Sequence, residues 1–135
     1  MSDLTGILGP DVRLEHIGIA APGLDHPLAL LAGLDLGEGR EMPSGVRVAR
    51  DRGIELVTPG REGSPVERFL ATRGPGLHHV ALGVPGDLAA IEARLAAAGV
   101  ETAGPIEPGS DGRRTLFLHP RSAGGVLVEL VEVDA

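Results

Sequence analysis

The chain has no cysteine, no tryptophan and no tyrosine, and only two phenylalanines, Phe69 and Phe117, in 135 residues. Without cysteine there are no disulfide staples, no thiolate metal ligands and no cysteine nucleophile. Thiol-free composition fits a reducing compartment, and a cytoplasmic location is expected. So few rings argue against stacking recognition of bases or sugars. Positive charge is also scarce: the formal net charge is −7, which speaks against a nucleic-acid partner. The start, Met1-Ser2-Asp3, lacks a basic region, and no apolar run approaches the length of a bilayer span, so no membrane partner is expected.

What remains is an aliphatic chain. Hydrophobic residues make up 42%, which supports a packed core of Leu, Val, Ile and Ala. Alternation predicts a strand over Arg13–Ala20, with Leu14, His16, Gly18 and Ala20 on one face. Asp25 is the expected cap of a helix over His26–Leu34, and His26 is expected to be solvated. Strands follow over Gly45–Ala49 and Gly53–Thr58, joined by Arg50-Asp51-Arg52-Gly53 as a hairpin. Ser64-Pro65-Val66-Glu67 reads as a capping box opening a helix to about Thr72. A second half repeats the plan: a strand over Leu77–Val84, a helix over Leu88–Ala98 capped by Asp87, a short strand at Val100–Thr102, and strands over Arg114–Leu118 and Val126–Val133. The organisation is one domain: module one about 13–60, a linking helix about 64–73, and module two about 77–133.

The repeat carries the chemistry. Leu14-Glu15-His16-Ile17-Gly18 returns as Leu77-His78-His79-Val80-Ala81, and Ile54-Glu55-Leu56-Val57 returns as Val128-Glu129-Leu130-Val131. Each half thus has one histidine early and one carboxylate late, both inside apolar runs. A lone histidine on such a strand is more often a hydrogen-bonded core residue, but a buried carboxylate without a partner costs several kcal/mol, on the order of the penalty for an unpaired buried ion. Two copies of the same pair point to a metal held by His16, Glu55, His79 and Glu129. Imidazole and carboxylate without thiolate suit Co²⁺, Mn²⁺, Ni²⁺, Zn²⁺ or Fe²⁺. His78 is expected on the opposite face from His79, Glu132 away from Glu129, and Asp51, Glu101 and Glu107 in solvated loops. Arg113 and Arg114 are candidates to contact an anionic substrate group, His119 to lie near a cleft mouth, and Gly109–Gly112 to form a mobile flap.

With these residues in view, the chain resembles the vicinal oxygen chelate (glyoxalase/dioxygenase) superfamily, and within it the methylmalonyl-CoA epimerase family. Ile54-Glu55-Leu56-Val57-Thr58-Pro59 with Ser64-Pro65-Val66-Glu67-Arg68-Phe69-Leu70, Gly74-Pro75-Gly76-Leu77-His78-His79-Val80-Ala81, and Phe117-Leu118-His119-Pro120 through Gly125-Val126-Leu127-Val128-Glu129 carry the resemblance, with the first strand. It implies an α+β fold of two paired βαβββ modules forming a metal-binding cleft. It implies an isomerase that interconverts the epimers of methylmalonyl-CoA by removing the proton alpha to the thioester, with a metal-stabilised enolate. Glu129 is then both ligand and acid/base, and Co²⁺ the expected ion. Substrate contacts fall to Arg113, Arg114 and His119, and a homodimer is implied. The pattern departs at Val48, where some epimerases carry a second catalytic glutamate; Glu55, a bound water or another residue is the candidate substitute. The alternatives are a glyoxalase I-like lactoylglutathione lyase, an epimerase of another acyl-CoA, and, less well supported, a non-catalytic ligand-binding protein.

Overall fold

Each half of the chain lays down its elements in the same order, one strand, one helix, three strands. The computed structural model describes residues 4–134. The first half runs β1 (Arg13–Ala20), α1 (Pro27–Ala32), β2 (Arg40–Glu41), β3 (Arg47–Asp51) and β4 (Ile54–Thr58). A linking helix, α2 (Pro65–Arg73), follows. The second half runs β5 (Gly76–Pro85), α3 (Leu88–Ala97), β6 (Glu107–Pro108), β7 (Arg114–Leu118) and β8 (Val128–Val133). Among the described residues no helix is long and apolar enough to cross a membrane. The chain divides into two compact units, His16–His78 in one and Met1–Glu15 with His79–Ala135 in the other, so the divisions fall inside β1 and inside β5.

In the unit His16–His78 the strands follow the order β2-β3-β4-β1. β1 and β4 are parallel, with Gly18 opposite Glu55 and Ala20 opposite Val57. β3 and β4 form an antiparallel hairpin with Arg50 opposite Glu55 and Asp51 opposite Ile54. Its turn is Arg52-Gly53, both left-handed at φ 49° and 80°. This two-residue turn suits the twist of a hairpin, and glycine takes its second position without strain. The strand therefore continues two residues past the expected Ala49, and Arg50 belongs to the ladder, not the turn. Ala20, Val46, Val48, Val57 and Val66 form the core of this unit, with Met42, Phe69 and Leu70 against it.

In the other unit the order is β5-β8-β7-β6. β5 and β8 are parallel, with Ala81 opposite Glu129, and β7 pairs antiparallel to β8 with Phe117 opposite Glu129. Val84, Leu88, Ile91, Leu95, Leu116, Leu118 and Leu130 form its core. Ile7, Leu8 and Val12, which precede the first predicted strand, pack against that core.

Several caps and strands differ from expectation. Pro27 occupies the first helical position of α1 and forces the residue before it into extended backbone, so His26, not Asp25, is the cap. The His26 ring is half-buried, and its Nδ1 accepts from the Leu28 amide at 3.1 Å. Ser64 sits at the cap of α2, yet its buried Oγ makes no hydrogen bond. Glu67 reaches past it to accept from the Gly63 amide at 2.9 Å, so the reciprocal capping box does not form. Asp87 caps α3 as expected, accepting from the Ala89 amide. Val100–Thr102 contributes a single bridge, Thr102 to Leu118, and no strand. Two-residue strands β2 and β6 carry too little periodicity to be read from sequence.

Candidate metal and acid–base site

Period two along β1 places His16 on the same face as Gly18, and Gly18 stands opposite Glu55 on β4. Both side chains therefore emerge on one face of that sheet, two residues apart in register. The same arithmetic recurs in the other unit, where His79 and Ala81 share a face and Ala81 stands opposite Glu129. The outcome is two chemically equivalent pairs. His16 Nε2 lies 3.6 Å from Glu55 Oε1, and His79 Nε2 lies 3.5 Å from Glu129 Oε1. The four residues are 3%, 6%, 3% and 9% exposed in the order His16, Glu55, His79, Glu129.

These separations bear on a metal. A nitrogen–oxygen hydrogen bond spans about 2.7–3.2 Å. Two donors each about 2.1 Å from one ion stand roughly 3.0 Å apart along an octahedral edge and about 3.4 Å along a tetrahedral one. Each pair is longer than a direct hydrogen bond and close to the tetrahedral edge. The donors are also the right kind: His16, Glu55 and His79 are buried nitrogen and oxygen donors of types that hold a divalent ion. By donor type, His16, Glu55 and His79 suit a divalent ion.

Three neighbours shape the pairs. Arg50, opposite Glu55 on β3, places Nη1 2.6 Å from His16 Nδ1. Phe117, opposite Glu129 on β7, stands edge-on to His79 with ring centroids 6.0 Å apart. Val48 lies two residues from Arg50 on the same face of β3, buried and opposite Val57. An aliphatic side chain there holds no proton, so β3 supplies no second base at that position. Arg50 was missed from sequence because the strand was ended two residues too soon; the alternation Val48-Arg50 on the face of Glu55 was the available signal.

Other candidates fall elsewhere. Arg113 is an ion-pair partner of Glu15, and its Nε donates to Asp111 at 2.6 Å. Partial burial pulls its pKa down, but its hydrogen bonds to the Glu15 and Asp111 carboxylates outweigh that, and the net shift is upward. Arg114 Nη1 lies 3.5 Å from Glu132 and 3.7 Å from Asp87. Both arginines are thus committed to the protein's own carboxylates. They line an open groove of about 710 Å³ with Arg13, Glu132 and Asp134. His119 caps a 3₁₀ turn at Pro120–Ser122, its Nδ1 accepting from the Arg121 amide. Gly109–Gly112 is not an untied flap: it closes the β6–β7 hairpin through Gly109 amide to Arg113 carbonyl and Gly112 amide to Gly109 carbonyl. His78 packs edge-on against Phe69, 4.8 Å between centroids. Asp51 ends β3 rather than lying in a loop, and its carboxylate accepts from the Asp35 amide at 2.9 Å, while Glu132 accepts from the Leu88 amide at the start of α3.

Comparison with known proteins adds the lineage. Residues 15–117 match the family model of the Glyoxalase/Bleomycin resistance protein/Dioxygenase superfamily. An ethylmalonyl-CoA/methylmalonyl-CoA epimerase of Cereibacter sphaeroides is 38% identical over 132 residues, covering 90% of this chain and 98% of that one. The structure of a methylmalonyl-CoA epimerase from Mycobacterium tuberculosis superposes with a TM-score of 0.76 at 36% identity, over 90% of this chain and 87% of that one. A variant of the Streptomyces coelicolor methylmalonyl-CoA epimerase, in complex with 2-nitronate-propionyl-CoA, gives a TM-score of 0.77 at 36% identity, over 91% and 98%. The fold is the one these enzymes share. The chain belongs to the methylmalonyl-CoA epimerase family of the Glyoxalase/Bleomycin resistance protein/Dioxygenase superfamily, a family of isomerases.

Proposed function

We propose that this protein epimerises C2 of methylmalonyl-CoA. The observation that carries the reading is the pair of buried, register-equivalent histidine–glutamate couples in a chain of this family. Relatives crystallised with an acyl-CoA ligand support the substrate class. His16, Glu55, His79 and Glu129 would hold the metal, with Co²⁺ as the ion proposed. Bound there, a divalent ion supplies Lewis-acid charge to the substrate oxygens flanking C2.

The chain's own residues move the proton. Glu129 accepts it from C2, and the C–H electron pair is left on the thioester carbonyl oxygen. Return of a proton to the opposite face inverts the centre. Glu55 is the group proposed for that face, since Val48 is inert. Both carboxylates sit in largely dry surroundings, where a charge developing on substrate is poorly screened and positioned groups act strongly. A homodimer is the assembly proposed; Leu30 and Leu31, 74% and 88% exposed on α1, are apolar surface that a second copy would cover.

The test is isotope exchange. Metal-loaded protein is incubated with (2S)-methylmalonyl-CoA in D₂O, and deuterium at C2 and optical purity are followed together. Exchange with racemisation is expected, and Glu129→Gln, which keeps the volume and removes the base, should slow it by about 10²–10⁴. Exchange without racemisation would leave Glu129 as sole base and refute Glu55. No exchange in metal-loaded protein refutes the epimerase reading.

A further inference from the structure

The two halves match in register, so the residue opposite each site glutamate is the same position of the repeat. In one half it is Arg50, opposite Glu55; in the other it is Phe117, opposite Glu129. They offer the neighbouring histidine different things. Phe117 gives His79 a ring edge, at an interplanar angle of 77°, with neither charge nor donor. Arg50 gives His16 a guanidinium nitrogen at 2.6 Å from Nδ1.

A guanidinium carries donors only. Nδ1 of His16 is therefore the acceptor, and a neutral ring then bears its proton on Nε2. That is the nitrogen facing Glu55 at 3.6 Å. A metal needs the lone pair on that nitrogen, and a ligating histidine nearly always donates its other N–H to a carbonyl, carboxylate or water. The arrangement at His16 is the reverse. The fixed positive charge of Arg50 beside a cation's ligand acts in the same direction.

We propose that Arg50 is a positioning residue that competes with a divalent metal for His16, holding the ring by Nδ1 until the guanidinium lets go. The inference rests on the metal reading above. Arg50 stands as a resident cation beside Glu55, and the ion binds less tightly than the four donors alone would give.

The test measures Co²⁺ affinity of the metal-free full chain at fixed pH, by competition with a chelating dye. Arg50→Phe recreates the arrangement around His79. Arg50→Gln supplies a carbonyl oxygen that accepts from Nδ1–H, and Arg50→Lys keeps both charge and donor. A hydrogen bond to a charged group corresponds to a factor of about ten to a hundred, so the Phe and Gln variants should bind Co²⁺ at least about ten-fold more tightly, with Lys close to the parent. Ring ¹⁵N NMR of the metal-free protein should show the His16 proton on Nε2 in the parent and on Nδ1 in Arg50→Gln. Equal or weaker Co²⁺ binding in folded Phe and Gln variants overturns the proposal. If His79→Ala still removes Co²⁺ binding in that case, the metal reading survives alone. Failure of every form to bind Co²⁺, or any tested divalent ion, overturns both. Arg50→Gln keeps the test open if Arg50→Phe does not fold.

Discussion

Adding Co²⁺ to the metal-free protein should raise its melting temperature by roughly ten degrees, and the size of that shift can be worked through. The four donors are at most 9% exposed, so the unfolded chain holds no comparable set and the ion binds the folded state alone. At free metal about 100 times its dissociation constant, linkage contributes about 2.7 kcal/mol. Unfolding entropy near the midpoint is about 2.1 cal/mol/K per residue, which for a chain of 135 residues is roughly 0.28 kcal/mol/K. The quotient is a shift of roughly 10 °C. Differential scanning calorimetry of protein stripped with EDTA, then titrated with Co²⁺, reads it directly. His79→Ala and Glu129→Gln should each remove most of the shift. No shift with Co²⁺, Mn²⁺, Ni²⁺ or Zn²⁺, or a shift that survives both substitutions undiminished, would refute the reasoning that these donors hold an ion.

Three further outcomes follow from packing and electrostatics. Leu130→Ala opens a cavity at a fully buried side chain in the core of its unit and should cost about 3–5 kcal/mol in urea unfolding. Ser64→Ala should cost less than about 0.5 kcal/mol, against the loss of about 1 expected for a working cap, because the buried Ser64 Oγ has no hydrogen-bond partner among the described residues; a full cap-sized loss would show that the hydroxyl is engaged. Asp51 is held below its ordinary value of 3.8, chiefly by the Asp35 amide, against some desolvation and with help from Arg52. A depressed carboxylate stabilises the fold above its ordinary pKa and loses that contribution as pH falls, so the urea midpoints of the parent and Asp51→Asn should differ at pH 7 and converge as pH drops through the lowered folded value.

How much of this was legible in the chain depended on whether the signal was periodic. His16, Glu55, His79 and Glu129 stood out because each interrupts an aliphatic run, and because the interruption occurs twice. The strand β1 followed from alternation, and β5 from its repeat of β1. Arg50 was hidden by a boundary: its neighbours Asp51, Arg52 and Gly53 look like a polar turn, yet the turn needs only Arg52 and Gly53, and the ladder absorbs the rest. The α1 cap was hidden by a competition that Pro27 decides in favour of His26. At α2 the sequence signature was present but the geometry moved it one residue, Glu67 bonding Gly63 and stranding Ser64. The ion pair of Arg113 with Glu15 could not be read from the chain because the two lie 98 residues apart.

The parallel pairings have a consequence in time. An antiparallel hairpin such as β3–β4 closes locally, but parallel neighbours need a long crossover. In the chain, α1, β2 and β3 lie between His16 and Glu55, and α3, β6 and β7 between His79 and Glu129. Such non-local contacts are reached after the loop-closure entropy has been spent, so we expect both couples to complete late, past the rate-limiting step of folding. An ion held by late-forming donors leaves the folding rate nearly unchanged and slows unfolding instead. On that view the metal is a brake on opening: it sets how long a folded molecule lasts, not how quickly a new one forms.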